Sequence, residues 1–177
     1  MAETAPLPPG VDAARFAGAL DEMRGIVGAA NVFATPEGLA PYLDVMSSIG
    51  PKARMPGAAV CPASVEEAQA VVKIAHRERI ALWSYGTGKN GAYGGPTPLL
   101  PGYVCLDLKR MNRVLEVNED LAYAVVEPGV SYFQLYQHLR ASGSRLWIDC
   151  AAPGWGGVIG NALEHGAGYT PYGDHFV

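Results

Sequence analysis

The segment Tyr85-Gly86-Thr87-Gly88-Lys89-Asn90-Gly91-Ala92-Tyr93-Gly94-Gly95-Pro96 constrains this chain more than any other. It follows an apolar run, Ile80-Ala81-Leu82-Trp83, and contains no bulky aliphatic residue. Glycine reaches φ > 0 and lets a ligand approach the main chain closely. A strand that opens into such a loop aims successive N–H groups into one concavity, a geometry that binds phosphate. Lys89 and Asn90 add a charge and an amide. Glycine turns are also common where no phosphate binds, so the loop alone leaves both readings open. A second close-approach surface lies downstream, with six glycines and Asn161 between residues 154 and 168.

The pattern around these loops predicts alternating strands and helices. Residues 11–28 read as a helix capped by Asp12, with Ala14, Leu20, Met23 and Val27 on one face. A shorter helix is predicted from Pro36 to Ser47, and residues 48–57, with two prolines and two glycines, read as a linker. Ala58–Cys61 is a short apolar strand. Ser64-Val65-Glu66-Glu67 forms a capping box before a helix whose inner face is Ala68, Val71, Val72 and Ala75. Strand Ile80–Ser84 enters the first loop. Tyr103–Leu108 alternates as a half-buried strand, with Val104, Leu106 and Leu108 set against Tyr103, Cys105 and Asp107. Arg113–Val117 and Ala122–Glu127 flank residues 118–121 as a hairpin. Ser131–Gln134 opens a second capped helix to about Ala141, and Leu146–Asp149 reads as a strand.

Composition excludes several classes. With 13 Lys and Arg against 17 Asp and Glu, the net charge is −4, and no basic run marks a nucleic-acid or membrane partner. No apolar stretch approaches the length of a transmembrane helix. The N-terminus lacks the basic and apolar regions of a signal peptide, so the cytoplasm is the expected compartment. Three widely spaced cysteines and four histidines without ligand spacing give neither a disulfide framework nor a metal site. Gly86–Gly91 satisfies GxGxxG by letter, yet Gly94, Gly95, Pro96 and Pro98 prevent a helix from starting there, so it is not a Rossmann fingerprint. No Gly-Lys-Ser/Thr occurs, which excludes a Walker A loop.

Longer strings carry a family resemblance. They are Gly88–Gly95, Asp107–Asn118, Val126-Glu127-Pro128-Gly129-Val130, Gly160-Asn161-Ala162 and Gly168–His175. From Pro56 to the C-terminus the chain resembles the cofactor-binding half of the vanillyl-alcohol oxidase/p-cresol methylhydroxylase flavoproteins. The resemblance implies an α+β fold of that FAD-binding type. A small βαβ-like subdomain would be followed by the start of a mixed β subdomain, incomplete at the C-terminus. The implied organisation is a helical arm over 1–55 and an FAD-binding domain over 56–177.

It also implies FAD as cofactor and oxidation of a para-substituted phenol at its benzylic carbon. Gly86, Thr87, Gly88, Lys89, Asn90 and Gly91 would line the diphosphate; Pro153, Gly156, Gly157, Gly160 and Asn161 would line the ribityl and flavin region. Tyr93 and Tyr169 match the tyrosines that hydrogen-bond the substrate's phenolate oxygen. Oxidase members carry an aspartate near the flavin where this chain has Ala152. That departure favours the cytochrome-coupled branch, with a c-type cytochrome subunit as partner, over a dioxygen-using oxidase. Related flavocytochromes can sit in the periplasm. Family members are about three times longer and carry the covalent flavin ligand and substrate cap in the additional length. The resemblance therefore implies an N-terminal fragment, homo-oligomeric when complete, and a non-catalytic FAD-binding unit is the alternative for the 177 residues.

Overall fold

The computed structural model describes residues 4–44, 47–89, 95–149, 154–170 and 173–176, with side chains of 167, 169, 170 and 173–176 left aside. Its centre is a four-stranded sheet in the order β1-β2-β4-β3. The strands are β1 (Val32–Phe33), β2 (Ala58–Val60), β3 (Leu82–Tyr85) and β4 (Val104–Asp107). Strands β2, β4 and β3 run parallel, and β1 is antiparallel to β2. Helix α3 (Val65–Glu78) carries the chain from β2 to β3 across β4, which gives the expected βαβ unit.

Helix α1 (Ala13–Val27) packs on α3 and covers one sheet face. Asp12 caps it by accepting from the Arg15 N–H. Its inner side is Phe16, Ala19, Leu20, Met23 and Val27; Ala14, expected inside, is exposed. Opposite, Val71, Ile74 and Ala75 of α3 join Val60, Val104 and Leu106 in the same core. The face of α3 is thus rotated from the expected one: Val72 is exposed, because the helix meets α1 as well as the sheet. Ser64 caps α3 through the Glu67 N–H, whereas the Glu67 carboxylate takes the Ala63 N–H instead of closing the box.

The residues before 56 build the second face. Strand β1, unforeseen in the sequence, pairs with β2, and α2 (Pro36–Leu39) followed by a 3-10 turn (Ala40–Tyr42) delivers Leu39 and Tyr42 against Ala59 and Cys105. Pro36 begins α2 as expected, but the helix stops after one turn. This covering explains why β4 is buried on both faces rather than alternating. A central parallel strand has no solvent side. Even Asp107, the charged residue of the alternation, is only 1% exposed.

A second layer follows. The hairpin β5 (Val114–Asn118) and β6 (Tyr123–Val126) forms as expected, with a bulge between Val114 and Glu116. Helix α4 (Tyr132–Ala141) has the full capping box, with Gln134 N–H donating to Ser131 Oγ and Ser131 N–H donating to Gln134 Oε1. Leu135 and Leu139 pack with Val130, and with Val114, Val117 and Val126 of the hairpin. Leu146–Asp149 forms no strand, although Leu146 and Ile148 join this core. Helix α5 (Val158–Leu163) and the hairpin β7 (Ala167–Thr170) and β8 (Gly173–Phe176) lie where the sequence suggests only loops. Among the described residues no helix is long and apolar enough to cross a membrane, and no cluster of metal-ligating side chains occurs.

The hairpin base is locked by Glu127, a carboxylate only 6% exposed. It accepts from Arg113 Nη2 at 2.6 Å, Arg113 Nε at 3.0 Å and the Arg113 N–H at 2.8 Å. The Arg113 guanidinium holds this carboxyl below its ordinary value of 4.5. A carboxylate with a depressed folded value contributes stability that is present above pH 4.5 and lost as pH falls through the folded value. Glu127→Gln should therefore lower stability at neutral pH and flatten the loss of stability on acidification, as read by thermal melts across pH 2–7.

Candidate functional site

Strand β3 ends at Tyr85 and the first glycine loop begins. Gly86 lies against the turn that precedes α4: a side chain there would collide with the Pro128 carbonyl oxygen. Gly129 in that turn is pressed in the same way, since a Cβ would lie 2.6 Å from the Leu108 oxygen and 2.7 Å from the Met111 oxygen. Both positions need glycine for close main-chain approach. The Gly129 N–H donates to Met111 O at 2.8 Å, and Leu108 N–H donates to Tyr85 O at 3.0 Å. The turns at 85–88, 107–111 and 127–130 are thereby stacked on one another.

The second glycine stretch joins this stack from the other side. Val158 N–H donates to Val130 O, Tyr132 N–H to Gly156 O, and Phe133 N–H to Gly154 O. Ser131 and Gly157 form an isolated antiparallel bridge. The first-turn amides of α4 are thus consumed by the glycine stretch and its own capping box, which leaves that helix end no role in anion binding. Gly157 in turn meets the first loop, its Cβ position lying 3.4 Å from Thr87 Oγ1 and 3.6 Å from Thr87 N. The two glycine regions, 70 residues apart in the chain, form one surface.

Several site residues expected from the sequence can be placed on it. Gly86, Thr87 and Gly157 are adjacent and half-buried. Gly88 adopts φ +64 over the Tyr85 ring, and Lys89 is exposed beside it. Among the described residues, the N–H groups of residues 86–89 make no backbone hydrogen bond. Gly156 is buried, with its carbonyl turned to α4. Gly160 is exposed within α5, with open space where a side chain would stand. Asn161 turns its amide inward, donating from Nδ2 to the Tyr132 hydroxyl at 2.9 Å and packing on Gly166. Asn90, Gly91, Tyr93 and Pro153 lie outside the described residues. Tyr169 is placed by its main chain only, in β7 opposite Asp174.

The residues present fit an extended anionic group. A ledge of small residues, whose main-chain donors at 86–89 are unused among the described residues and have the Lys89 ammonium beside them, suits a diphosphate. Sequence reasoning missed the Pro128-Gly129 turn as a wall of this ledge; the signal was its place between a strand and a capped helix. It also missed Tyr132, which anchors Asn161. Asp149 packs its carboxylate on Gly168, next to Tyr169 in the chain, the Gly168 Cβ position lying 2.5 Å from Oδ2. A separate apolar cleft of about 750 Å³, lined by Val65, Val72, Leu106, Leu108 and Met111 among others, opens on the α3 side of the sheet and shares no residue with the ledge.

Gly86→Ala should lower the melting temperature, because overpacking against rigid main chain costs about 1–3 kcal/mol. Gly160→Ala, in open space on a helix, should leave it unchanged or raise it. Paired thermal denaturation of the two variants checks this contrast.

Known proteins agree with this architecture. A family profile described as FAD binding domain matches residues 56–176. The flavoprotein subunit of 4-cresol dehydrogenase [hydroxylating] from Pseudomonas putida is 38% identical over 172 residues, which is 97% of this chain and 33% of that protein. A 4-ethylphenol oxidase from Gulosibacter chungangensis, solved as an isoeugenol complex, superposes with a TM-score of 0.90 at 46% identity, over 96% of this chain and 33% of that one. A p-cresol methylhydroxylase solved with substrate bound gives a TM-score of 0.90 at 38% identity, over 94% and 33%. The chain spans about a third of the length of these relatives. The chain belongs to the vanillyl-alcohol oxidase/p-cresol methylhydroxylase family of FAD flavoproteins, with its FAD-binding domain at residues 56–176.

Proposed function

We propose that this chain forms the diphosphate-binding wall of an FAD-dependent enzyme that oxidises 4-alkylphenols at the benzylic carbon. The meeting of Thr87 with Gly157 across two glycine regions carries the reading, because it makes one continuous ledge from otherwise unrelated turns. FAD, when bound, supplies the hydride acceptor. The amides of residues 86–89 hold the diphosphate, and Lys89 offsets its charge. Gly156, Gly157 and Gly160 leave room for the ribityl chain and ring; Asn90, Gly91 and Pro153, outside the described residues, are assigned to the same site by the family resemblance alone. Asn161 supports that region through Tyr132.

Tyr93 and Tyr169 are the residues proposed to bond the substrate's phenolic oxygen. Hydroxyl donors aimed there lower the phenol's pKa. The phenolate then expels a benzylic hydride, leaving a neutral quinone methide. Addition of water to that methide yields the benzylic alcohol. The finer assignment is a hydroxylase that passes its electrons to a c-type cytochrome subunit, supported by Ala152 in place of the oxidase aspartate. Dioxygen as acceptor is the second reading, favoured by the 46% identity with the 4-ethylphenol oxidase.

Anaerobic addition of a 4-alkylphenol to the FAD-loaded complete enzyme, of which this chain forms one wall, should bleach the flavin absorbance; an unchanged spectrum overturns the proposed chemistry. Reoxidation by a cytochrome faster than by air supports the hydroxylase branch, and rapid peroxide release supports the other. Tyr93→Phe and Tyr169→Phe should each weaken phenolate binding by about 1–3 kcal/mol, the contribution of a charge-assisted hydrogen bond. Titration with a non-reactive phenol measures this.

A further inference from the structure

The last residue of β4, Asp107, holds a carboxylate only 1% exposed. Its Oδ2 accepts from the Tyr42 hydroxyl at 3.0 Å and from Lys109 Nζ at 2.7 Å, with the Cys61 thiol 3.7 Å away. Its Oδ1 accepts from the Lys109 N–H at 3.0 Å. Tyr42 lies before the matched domain, 3% exposed, with its ring between those of Phe33 and Tyr85 at centroid separations of 6.1 and 6.5 Å. Burial, together with the neighbouring Cys61 and Asp107, pushes the Tyr42 phenol well above its ordinary range, so it remains a donor.

Both flanks of the first glycine loop rest on this tyrosine. On the entering flank, the Tyr85 ring lies tilted at 50° to the Tyr42 ring, and Gly88 sits on Tyr85 with its Cβ position 3.0 Å from the ring. On the leaving flank, Thr97 Oγ1 donates to the Tyr42 carbonyl at 2.8 Å. Pro96 bridges the flanks: its Cβ stands 2.9 Å from the Gly88 Cβ position, and its carbonyl accepts from the Cys105 thiol at 3.5 Å. One residue, through its ring, hydroxyl and carbonyl, therefore touches the start of the loop, the strand end below it and the point where the loop returns.

We propose that Tyr42 is a positioning residue for the FAD loop, fixing the spacing between residues 86–89 and 95–97 through its bonds to Asp107 and Thr97. This rests on the FAD reading given above. If Tyr42 merely fills the core, its ring matters and its hydroxyl does not. If it positions the loop, losing the hydroxyl alone leaves the buried carboxylate short of a donor and frees the loop ends to shift.

The test uses the full 177-residue chain and its Tyr42→Phe and Thr97→Val variants. FAD affinity is measured by quenching of flavin fluorescence, and amide hydrogen exchange at Leu108, whose N–H donates to Tyr85 O at the loop's entry, is followed in the absence of FAD. Tyr42→Phe should raise the FAD dissociation constant about tenfold and speed exchange at Leu108 while α1 and α3 keep their protection. Thr97→Val should act in the same direction, and the double variant should fall short of the product of the two effects. Unchanged exchange and unchanged affinity in Tyr42→Phe, with or without a lower melting temperature, overturn the proposal. Should the unsubstituted chain fail to bind FAD, the exchange arm still decides the positioning role, and only the function proposed above falls.

Discussion

The contact of the Gly86 backbone with the Pro128 carbonyl is the constraint on which the site depends. It joins the end of a parallel strand in the first layer to the turn that starts a helix in the second. Through Gly129 the same turn presses on the carbonyls of Leu108 and Met111, so three chain reversals share one stack. Main chain packed against main chain cannot be relieved by a rotamer change. The ledge at Thr87 and Gly157 is therefore held by backbone geometry rather than by side chains that must be ordered when a ligand arrives. Such preorganisation spares a ligand the entropy of fixing its own site.

Two buried carboxylates brace that stack, one at each end. Asp107 ends β4 just before the 108–111 turn, and Glu127 ends the hairpin just before Pro128. A carboxylate removed from water is costly unless its charge is matched and its lone pairs are filled. Both are: Asp107 by Lys109 and Tyr42, Glu127 by three donors of Arg113. Burial, reinforced by the Asp107 charge, pushes the Cys105 thiol up to about 12 and the Cys61 thiol above its ordinary value. Both thiols are accordingly protonated core groups rather than nucleophiles.

Local signals made much of this legible. Caps at Asp12, Ser64 and Ser131, the hairpin around 118–121 and the loop after β3 were all readable, because each is set by neighbours in sequence. What the sequence hid depends on partners far along the chain. Alternation in Tyr103–Leu108 suggests a solvent face, but residues 32–42 cover it, and nothing near Asp107 announces Tyr42. Val72 looked like core because α3 was read against a sheet alone, without α1. The 154–168 glycines suggested loop, yet α5 starts there against backbone partners at Val130, Ser131 and Tyr132, and β7 forms by pairing with β8. The roles of Tyr93 and Tyr169 came from family resemblance alone.

The most direct test of the ledge is residue-specific: amide NMR of the isotopically labelled chain during titration with FAD. The account expects saturable shifts at Thr87, Gly88 and Gly157, with the Val65–Val72 face of the apolar cleft unmoved. Shifts confined to that cleft, or no saturable shift at 86–88 and 157, would contradict it.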